Sequence, residues 1–374
     1  MITTLSLVNF KCFKSLNLDL ARINVFAGIN GAGKSTVIQS LLALRQSLKS
    51  GSVDRLQLRG SLTDLGTAAE VYCADPSSDF IEMTVRDADA PPIEIRSLQA
   101  KNQSTDTSVE YSLRLTGQIA ASTTSLLAEP FNYLHAERIG PRKVFQIPSD
   151  EGHPLCVGKN GENAPYIIAS ENRKKRVGND FLVLESSDGK EYATIRYQWV
   201  LWMARLFPGF EQESEIYNRL DQVRLDLSLQ RKPVTGKDLF VRPTNTGFGL
   251  SFVLGIIVAG LAAEPGTILI VENPEAHLHP RAQSNLGEFL GRVAAGGTQV
   301  FVETHSEHVL NGIRRMIKQT ILTPEIARFF FFNKEPHVFE PSVLPISVSS
   351  SGDFSAWPDG FFDQLDKDLN IILT

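Results

Sequence analysis

Residues 28 to 36 read Gly28-Ile29-Asn30-Gly31-Ala32-Gly33-Lys34-Ser35-Thr36. Two glycines separated by four residues and followed by Lys-Ser are the spacing of a loop that cradles phosphates with its backbone N–H groups. Glycine is needed because such a nest uses backbone conformations with φ > 0. Lys34 is placed to reach the β- and γ-phosphates, and the Ser35 hydroxyl to ligate Mg²⁺. The flanks agree with this assignment. Arg22 to Ala27 is a short apolar strand, and Thr36 to Leu48 carries apolar residues at helical spacing. A phosphate at the start of that helix also meets the positive end of the helix dipole. The expectation is a nucleoside triphosphate site.

A second island lies in the last third of the chain. Residues 267–280 begin with the apolar run Thr267-Ile268-Leu269-Ile270-Val271 and reach a carboxylate at Glu272. This is the pattern of a buried parallel strand that delivers an acid to the C-terminal edge of a sheet. Upstream, Asn245-Thr246-Gly247-Phe248-Gly249-Leu250-Ser251 leads into a helix predicted over 252–263. Downstream, 298–303 is predicted as a strand with Thr304-His305-Ser306 at its end. Ser251 to Glu272 is 21 positions and Glu272 to His305 is 33, one helix-and-strand unit in each case.

This order of phosphate loop, glycine-bearing turn and helix, acidic strand end and strand-end histidine resembles an ATP-binding-cassette type ATPase head. Glu272-Asn273-Pro274-Glu275-Ala276-His277-Leu278-His279-Pro280 and Glu303-Thr304-His305-Ser306-Glu307-His308 are similar to AAA-like ATPases related to the overcoming-lysogenization-defect family. Heads of structural-maintenance-of-chromosomes proteins are a more distant likeness, and Leu5 to Phe13 resembles their first strand. Residues 352–363 resemble an uncharacterised C-terminal extension of one bacterial branch. The resemblance is specific over about 1–70 and 240–374 and loose between them, around Ala136 to Arg142.

The resemblance implies an α/β fold, a P-loop mixed sheet flanked by helices, with an inserted lobe of strands and then helices. It implies a split head at 1–65 and 240–335, an insertion at 66–239 and a C-terminal extension packing on the head at 336–374. It implies ATP and Mg²⁺ as cofactors, with Asn30, Gly31, Gly33, Lys34, Ser35 and Thr36 on the phosphates and Ser35 and Glu272 on the metal. His305 becomes the γ-phosphate switch. Gly247, Gly249 and Ser251 cap the nucleotide of a second subunit, so a homodimer or higher oligomer is expected, with His277 to Pro280 as the loop running between the two sites. Lys11 or Lys14 is a further phosphate or ribose candidate. One position departs from the pattern: the catalytic carboxylate usually found directly after the Walker B acid is Asn273 here. Either Glu275 takes that role or hydrolysis is slow and binding acts as the switch. Phosphoryl transfer tolerates the second case, because positioning and charge neutralisation carry most of it.

Composition sets the frame. The chain has 374 residues, a net charge of −5 and 42% hydrophobic content, so nucleic acid exerts no global pull and any contact needs a local patch. No apolar run reaches the roughly 20 residues that span a bilayer, and no basic-then-apolar leader opens the chain. A cytoplasmic protein without membrane contact is expected. Cys12, Cys73 and Cys156 are too scattered for a disulfide framework or a thiolate zinc site. His277 with His279, and His305 with His308, have poor spacing for a metal site. His135 and His153 are expected at the surface or in packing. In the insertion, Ile81 to Arg86 and Tyr111 to Leu115 alternate as strands, while Glu191 to Leu229 reads as helix broken near Pro208-Gly209. Sustained heptads are missing, so a long coiled-coil arm is not expected. The run Arg173-Lys174-Lys175-Arg176, with Arg138, Arg142, Lys143, Arg231 and Lys232, is either a phosphate contact or a solvated loop.

The chain runs 69 residues beyond His305, with Asp353, Asp359, Asp363 and Asp366 but no acidic strand end of the nuclease kind. The expectation is therefore an ATPase that controls a separate effector, a nuclease or toxin, in bacterial anti-phage defence. The alternative is a DNA-binding ATPase of recombination or repair. A transporter subunit is weakened by the unusual turn at 245–251.

Overall fold

The protein is described by a computed structural model over residues 1–51, 54–88, 90–97, 112–116, 124–148, 153–186, 192–229 and 240–373. Tyr111, Glu191, Arg231 and Lys232, named above, lie outside the described residues. The chain forms two compact units, one of Met1–Ala128, Glu325–Ser349 and Phe354–Thr374, the other of Glu129–Pro324 and Ser350–Asp353.

The first unit opens with β1 (Ile2–Phe10), β2 (Phe13–Asp19), β3 (Ile23–Gly28), α1 (Lys34–Lys49), β4 (Arg55–Gln57), α2 (Ala68–Val71), β5 (Glu82–Asp87), β6 (Ala90–Arg96) and β7 (Ser112–Arg114). The second unit supplies β8 (Asn132–Leu134), β9 (Phe145–Gln146), α3 (Ala164–Ala169), α4 (Ile195–Leu206), β10 (Glu211–Tyr217), β11 (Gln222–Ser228), α5 (Phe248–Ala262), β12 (Ile268–Glu272), α6 (Pro280–Ala295), β13 (Gln299–Thr304) and α7 (Glu307–Lys318). The chain then returns to the first unit for β14 (Ala327–Asn333), β15 (Ser342–Ile346) and α8 (Gln364–Leu373).

In the first unit, β2, β1, β5 and β6 form an antiparallel sheet in that order. Alternation sets its inner face: Leu5 and Leu7 of β1 and Met83 and Val85 of β5 are buried, while their neighbours are partly exposed. A mixed arrangement follows, in which β14 pairs parallel with β3 and antiparallel with β15. Phenylalanines of β14 fill the layer, with Phe330 and Phe332 each 5.7 Å from Phe26. The closing segment packs on the same strand, Phe354 on Phe329 at 4.9 Å and Phe361 on Phe331 at 5.2 Å.

In the second unit, β13, β12 and β8 run parallel. Every residue of β12 and β13 is buried, as an apolar run covered on both faces requires. Helix α5 is apolar all round and its residues Val253 to Ala262 are buried, so it belongs to the core and not to a surface. It begins four residues before the predicted helix, at the glycine-bearing turn. The expected α/β class, mixed sheet and flanking helices, is what the chain adopts.

One expectation is corrected. Residues 211–228 form a hairpin, not a helix: Glu211 pairs with Ser228 and Tyr217 with Gln222. The signal is present in Val223-Arg224-Leu225-Asp226-Leu227, which alternates at period two and buries Val223, Leu225 and Leu227. Only Ile195–Leu206 of that stretch is α-helical.

Candidate functional site

Strand β3 leads into the phosphate loop and α1 leaves it. Gly28, Gly31 and Gly33 have φ of 135°, 75° and 88°, the backbone region reserved largely for glycine. Asn30 and Gly31 are exposed at the tip, and Gly33 is the N-cap of α1. A Cβ on Gly33 would sit 2.7 Å from Cys12 Sγ and the Phe13 ring, so the loop lies tight against the turn between β1 and β2. Buried Lys34 curls its ammonium back across the loop and donates to the carbonyls of Gly28 at 2.9 Å and Ile29 at 2.7 Å. Ser35 follows in the first turn of α1, and the backbone N–H of Thr36 donates to Gly33 O. No acidic residue stands in that first turn to compete with an anion. Lys11 donates to Gln39 at 2.6 Å, and burial lowers its pKa. Lys14 is paired with Asp75 at 2.5 Å.

In the second unit, Glu272 ends β12 with its side chain buried. Tyr133 donates to its Oε1 at 2.9 Å, and the N–H of Ala136 to its Oε2 at 3.2 Å. Burial, reinforced by the Glu272 carboxylate, pushes the Tyr133 phenol far above its ordinary pKa, so the hydroxyl stays a donor. His135 holds Nε2 3.8 Å from Glu272 Oε2, and its Nδ1 accepts from Glu137 N–H at 3.2 Å. That bond leaves Nε2 as the protonated nitrogen of the neutral ring. His135 therefore lies at the surface, as expected, and also stands beside the acid. Arg138 grips the end of β12 from behind. Its Nη1 donates to Glu272 O at 2.7 Å and its Nη2 to Asn273 O. Burial lowers the Arg138 pKa to about 10, partly offset by Glu275 and Glu272.

Three further features shape this edge. Glu303 of β13 is in register with Glu272, so two buried carboxylates end adjacent parallel strands. Asn273 lies in the left-handed region at φ 43°, where asparagine is better tolerated than glutamate. Both oxygens of Glu275 are engaged, Oε2 by Thr304 Oγ1 at 2.7 Å and Oε1 by the N–H of His305 at 2.7 Å. Glu275 thus ties the strand-end histidine to the turn after β12.

The turn at 245–251 is built on close contact. A Cβ on Gly249 would lie 2.6 Å from His277 O, so only glycine lets α5 start against the 273–279 turn. His277 packs tilted against Phe248 and edge-on to Phe252, with ring centroids 5.5 and 4.8 Å apart. His279 caps α6 by accepting from Arg281 N–H. Gly247 caps α5 with no side-chain bond, Ser251 is buried, and Phe248 is 55% exposed. The structure thus gathers Glu272, Glu275 and His305 along one strand edge, Gly247 and Gly249 beside His277, and Asn30 to Thr36 around α1. The expected site residues omit Tyr133 and Glu303, and Arg138, expected with the basic residues as a phosphate contact or solvated side chain, is instead buried on the end of β12; the loosely matched stretch at 136–142 was the available signal.

A family profile described as an AAA ATPase domain matches residues 1–194, more than half of the chain. The chain belongs to the AAA ATPase domain family. A second AAA-domain profile, whose description names an AbiEii toxin of a type IV toxin–antitoxin system, matches residues 162–311 of this ATPase. Residues 322–371 match a protein family of unknown function, DUF3696. No curated protein sequence matches the ATPase. Among solved structures it is similar to an Smc head bound to the C-winged-helix domain of ScpA, with a TM-score of 0.53 and 14% identity over 92% of this chain and 97% of that one. An Smc head with an extended coiled coil, bound to the C-terminal domain of ScpA and from Pyrococcus furiosus, gives 0.51 at 12% over 100% and 99%. One from Pyrococcus yayanosii, with a coiled coil and joint, gives 0.51 at 10% over 98% and 99%. These likenesses show the fold, that of an Smc head, while the ATPase assignment rests on the family match. No helix among the described residues is long and apolar enough to cross a membrane.

Proposed function

We propose that this ATPase binds Mg²⁺·ATP, hydrolyses it slowly and closes as a nucleotide-gated dimer that controls a separate effector. The phosphate loop carries this reading, with three positive-φ glycines and Lys34 folded over the loop. On this reading the nucleotide machinery is drawn from 1–65 and 240–335. Lys34 would neutralise the β- and γ-phosphates, Ser35 would hold Mg²⁺, and Asn30, Gly31, Gly33 and Thr36 would supply the cradle. Glu272, aligned by Tyr133, Ala136 N–H and Arg138, would hold Mg²⁺. Magnesium, when bound, screens charge on the transferring phosphoryl group.

Glu275 is a positioning residue here, because both its oxygens are used to place Thr304 and His305. His305 reads the γ-phosphate. No carboxylate follows Glu272 directly, and Asn273 cannot take a proton from water, which fits slow turnover. Gly247, Gly249 and Ser251 meet the nucleotide of the second copy. That role is supported by the start of α5, which has no side-chain cap and presents the exposed ring of Phe248. The match to a profile whose description names a toxin–antitoxin system is compatible with a role in cytoplasmic anti-phage defence.

Mass in solution tests the gate. Light scattering with Mg²⁺·ATP is expected to give twice the protomer mass, and with ADP the protomer mass; one mass under both conditions overturns the gate. Glu275→Gln is expected to lower turnover by less than about tenfold. A fall beyond about a thousandfold makes Glu275 the base.

A further inference from the structure

Helices α4, α6 and α7 meet around one carboxylate. Glu288 of α6 is 2% exposed and is held by three guanidiniums. Arg205 of α4 donates to both its oxygens at 2.7 Å, Arg292 of α6 to Oε1 at 3.0 Å, and Arg315 of α7 to Oε2 at 2.8 Å. Three cations on one anion leave two positive charges in excess. They are held at fixed places, because Arg292 is also anchored on Phe181 O at 3.0 Å and Arg205 lies over the Trp202 ring. Arg205 and Arg315 keep 41% and 39% of their side chains in solvent, so their remaining donors face water. The nearby acids Asp180 and Glu264 are matched by cations of their own, Arg176 and Lys175. Helix neighbours one turn from the triad, Asn285, Asn311 and Lys318, are neutral or basic.

An exposed ring adjoins this surface. Phe181 is 44% exposed, although its backbone carbonyl is tied to Arg292 and its neighbour Asn179 donates to Arg292 O at 2.9 Å. Rigid guanidiniums match phosphate oxygens in forked pairs. An open aromatic ring beside them offers a stacking face for an unpaired base. An acidic polypeptide would use the charges but not the ring.

We propose that Phe181, Arg205, Arg292 and Arg315 form a binding surface for single-stranded nucleic acid. It is independent of the phosphate loop and goes beyond the proposed gate, for which a nucleic acid strand becomes the trigger. The experiment is fluorescence anisotropy of the whole protein with a labelled single-stranded oligonucleotide across a salt series, with and without ATP. The double variant Arg205→Ala and Arg315→Ala is expected to weaken binding at least about tenfold and to flatten the salt slope by about 1.4, two contacts at about 0.7 each. Phe181→Ala, at an exposed ring that leaves the fold intact, is expected to weaken it several-fold for single strands and not for duplex. Binding of a fluorescent ATP analogue is expected to stay unchanged in all three proteins. If the double variant fails a circular dichroism check, Phe181→Ala and the single Arg315→Lys change decide. No oligonucleotide binding by the unaltered protein at low salt overturns the proposal, as do variants without effect. Equal competition by polyglutamate with a silent Phe181→Ala also overturns it, in favour of an acidic protein partner.

Discussion

In the loop from Gly28 to Thr36 the chemistry comes from nine consecutive residues, whereas the carboxylate and the carbonyl of Glu272 are held by groups 134 to 139 positions upstream. The first region is made of backbone: positive-φ glycines turn N–H groups to one side, and the helix start adds its dipole. The second is made of side chains recruited by strand pairing, since β8 lies beside β12 and sends Tyr133, Ala136 and Arg138 to its end. A loop of the first kind fails when its one cation is lost. A strand end of the second kind fails by degrees, as its supports are removed one at a time.

The largest effect expected follows from that contrast. Lys34→Ala deletes the only loop side chain that carries charge, and turnover is expected to fall by at least about a hundredfold. The thermal midpoint is expected to stay within a few degrees, because the ammonium's bonds to Gly28 O and Ile29 O lie within the loop. An ATPase assay beside a melting curve checks both. A large drop in stability would mean that the loop depends on its lysine for shape as well as for charge.

Arg138 comes next. Its guanidinium satisfies the carbonyls of Glu272 and Asn273 from a buried position. Arg138→Ala removes a donor from both carbonyls, of which Asn273 O keeps its bond from Ala276 N–H, and leaves a cavity, with a loss of about 3 kcal/mol expected in denaturant unfolding. Arg138→Lys keeps the charge but not the fork, since a single ammonium does not reproduce two divergent donors. It is expected to recover less than half of the loss. Full recovery would show that charge near the strand end matters and the fork does not.

The same contrast explains what was legible in the residues alone. The P-loop, the strand to Glu272 and the strand to His305 are local patterns, and each stands where its spacing put it. The α/β class followed from them. The supports of Glu272 were not legible, because β8 is only three residues long and its pairing with β12 is a tertiary event. For the same reason the place of surface-exposed His135 beside Glu272 was not legible. The hairpin at 211–228 was missed for another: charged residues in Glu211-Gln212-Glu213-Ser214-Glu215 suit an exposed helix as well as an edge strand, and the alternation of β11 had to arbitrate. Glu275 illustrates a third limit, since sequence placed a carboxylate near the acid but could not say that both its oxygens are committed.

The smallest effect sharpens the comparison most. Tyr133→Phe removes one hydroxyl and almost no volume, so the packing of β8 on β12 is expected to survive. What goes is one of the donors that fix the Glu272 carboxylate. A hydrogen bond to a charged acceptor contributes about 1.5 to 3 kcal/mol, and Ala136 N–H remains on the other oxygen, so a loss near the lower end is expected. If Glu272 needs its orientation for the metal, apparent Mg²⁺ affinity in the ATPase assay falls by about tenfold while ATP binding without metal does not change. If the two fall together, Tyr133 serves the strand and not the carboxylate. Full Mg²⁺ affinity in the Tyr133→Phe variant would show that a buried acid at a strand end holds its aim from the backbone alone, and the two regions would then differ less than their hydrogen bonds suggest.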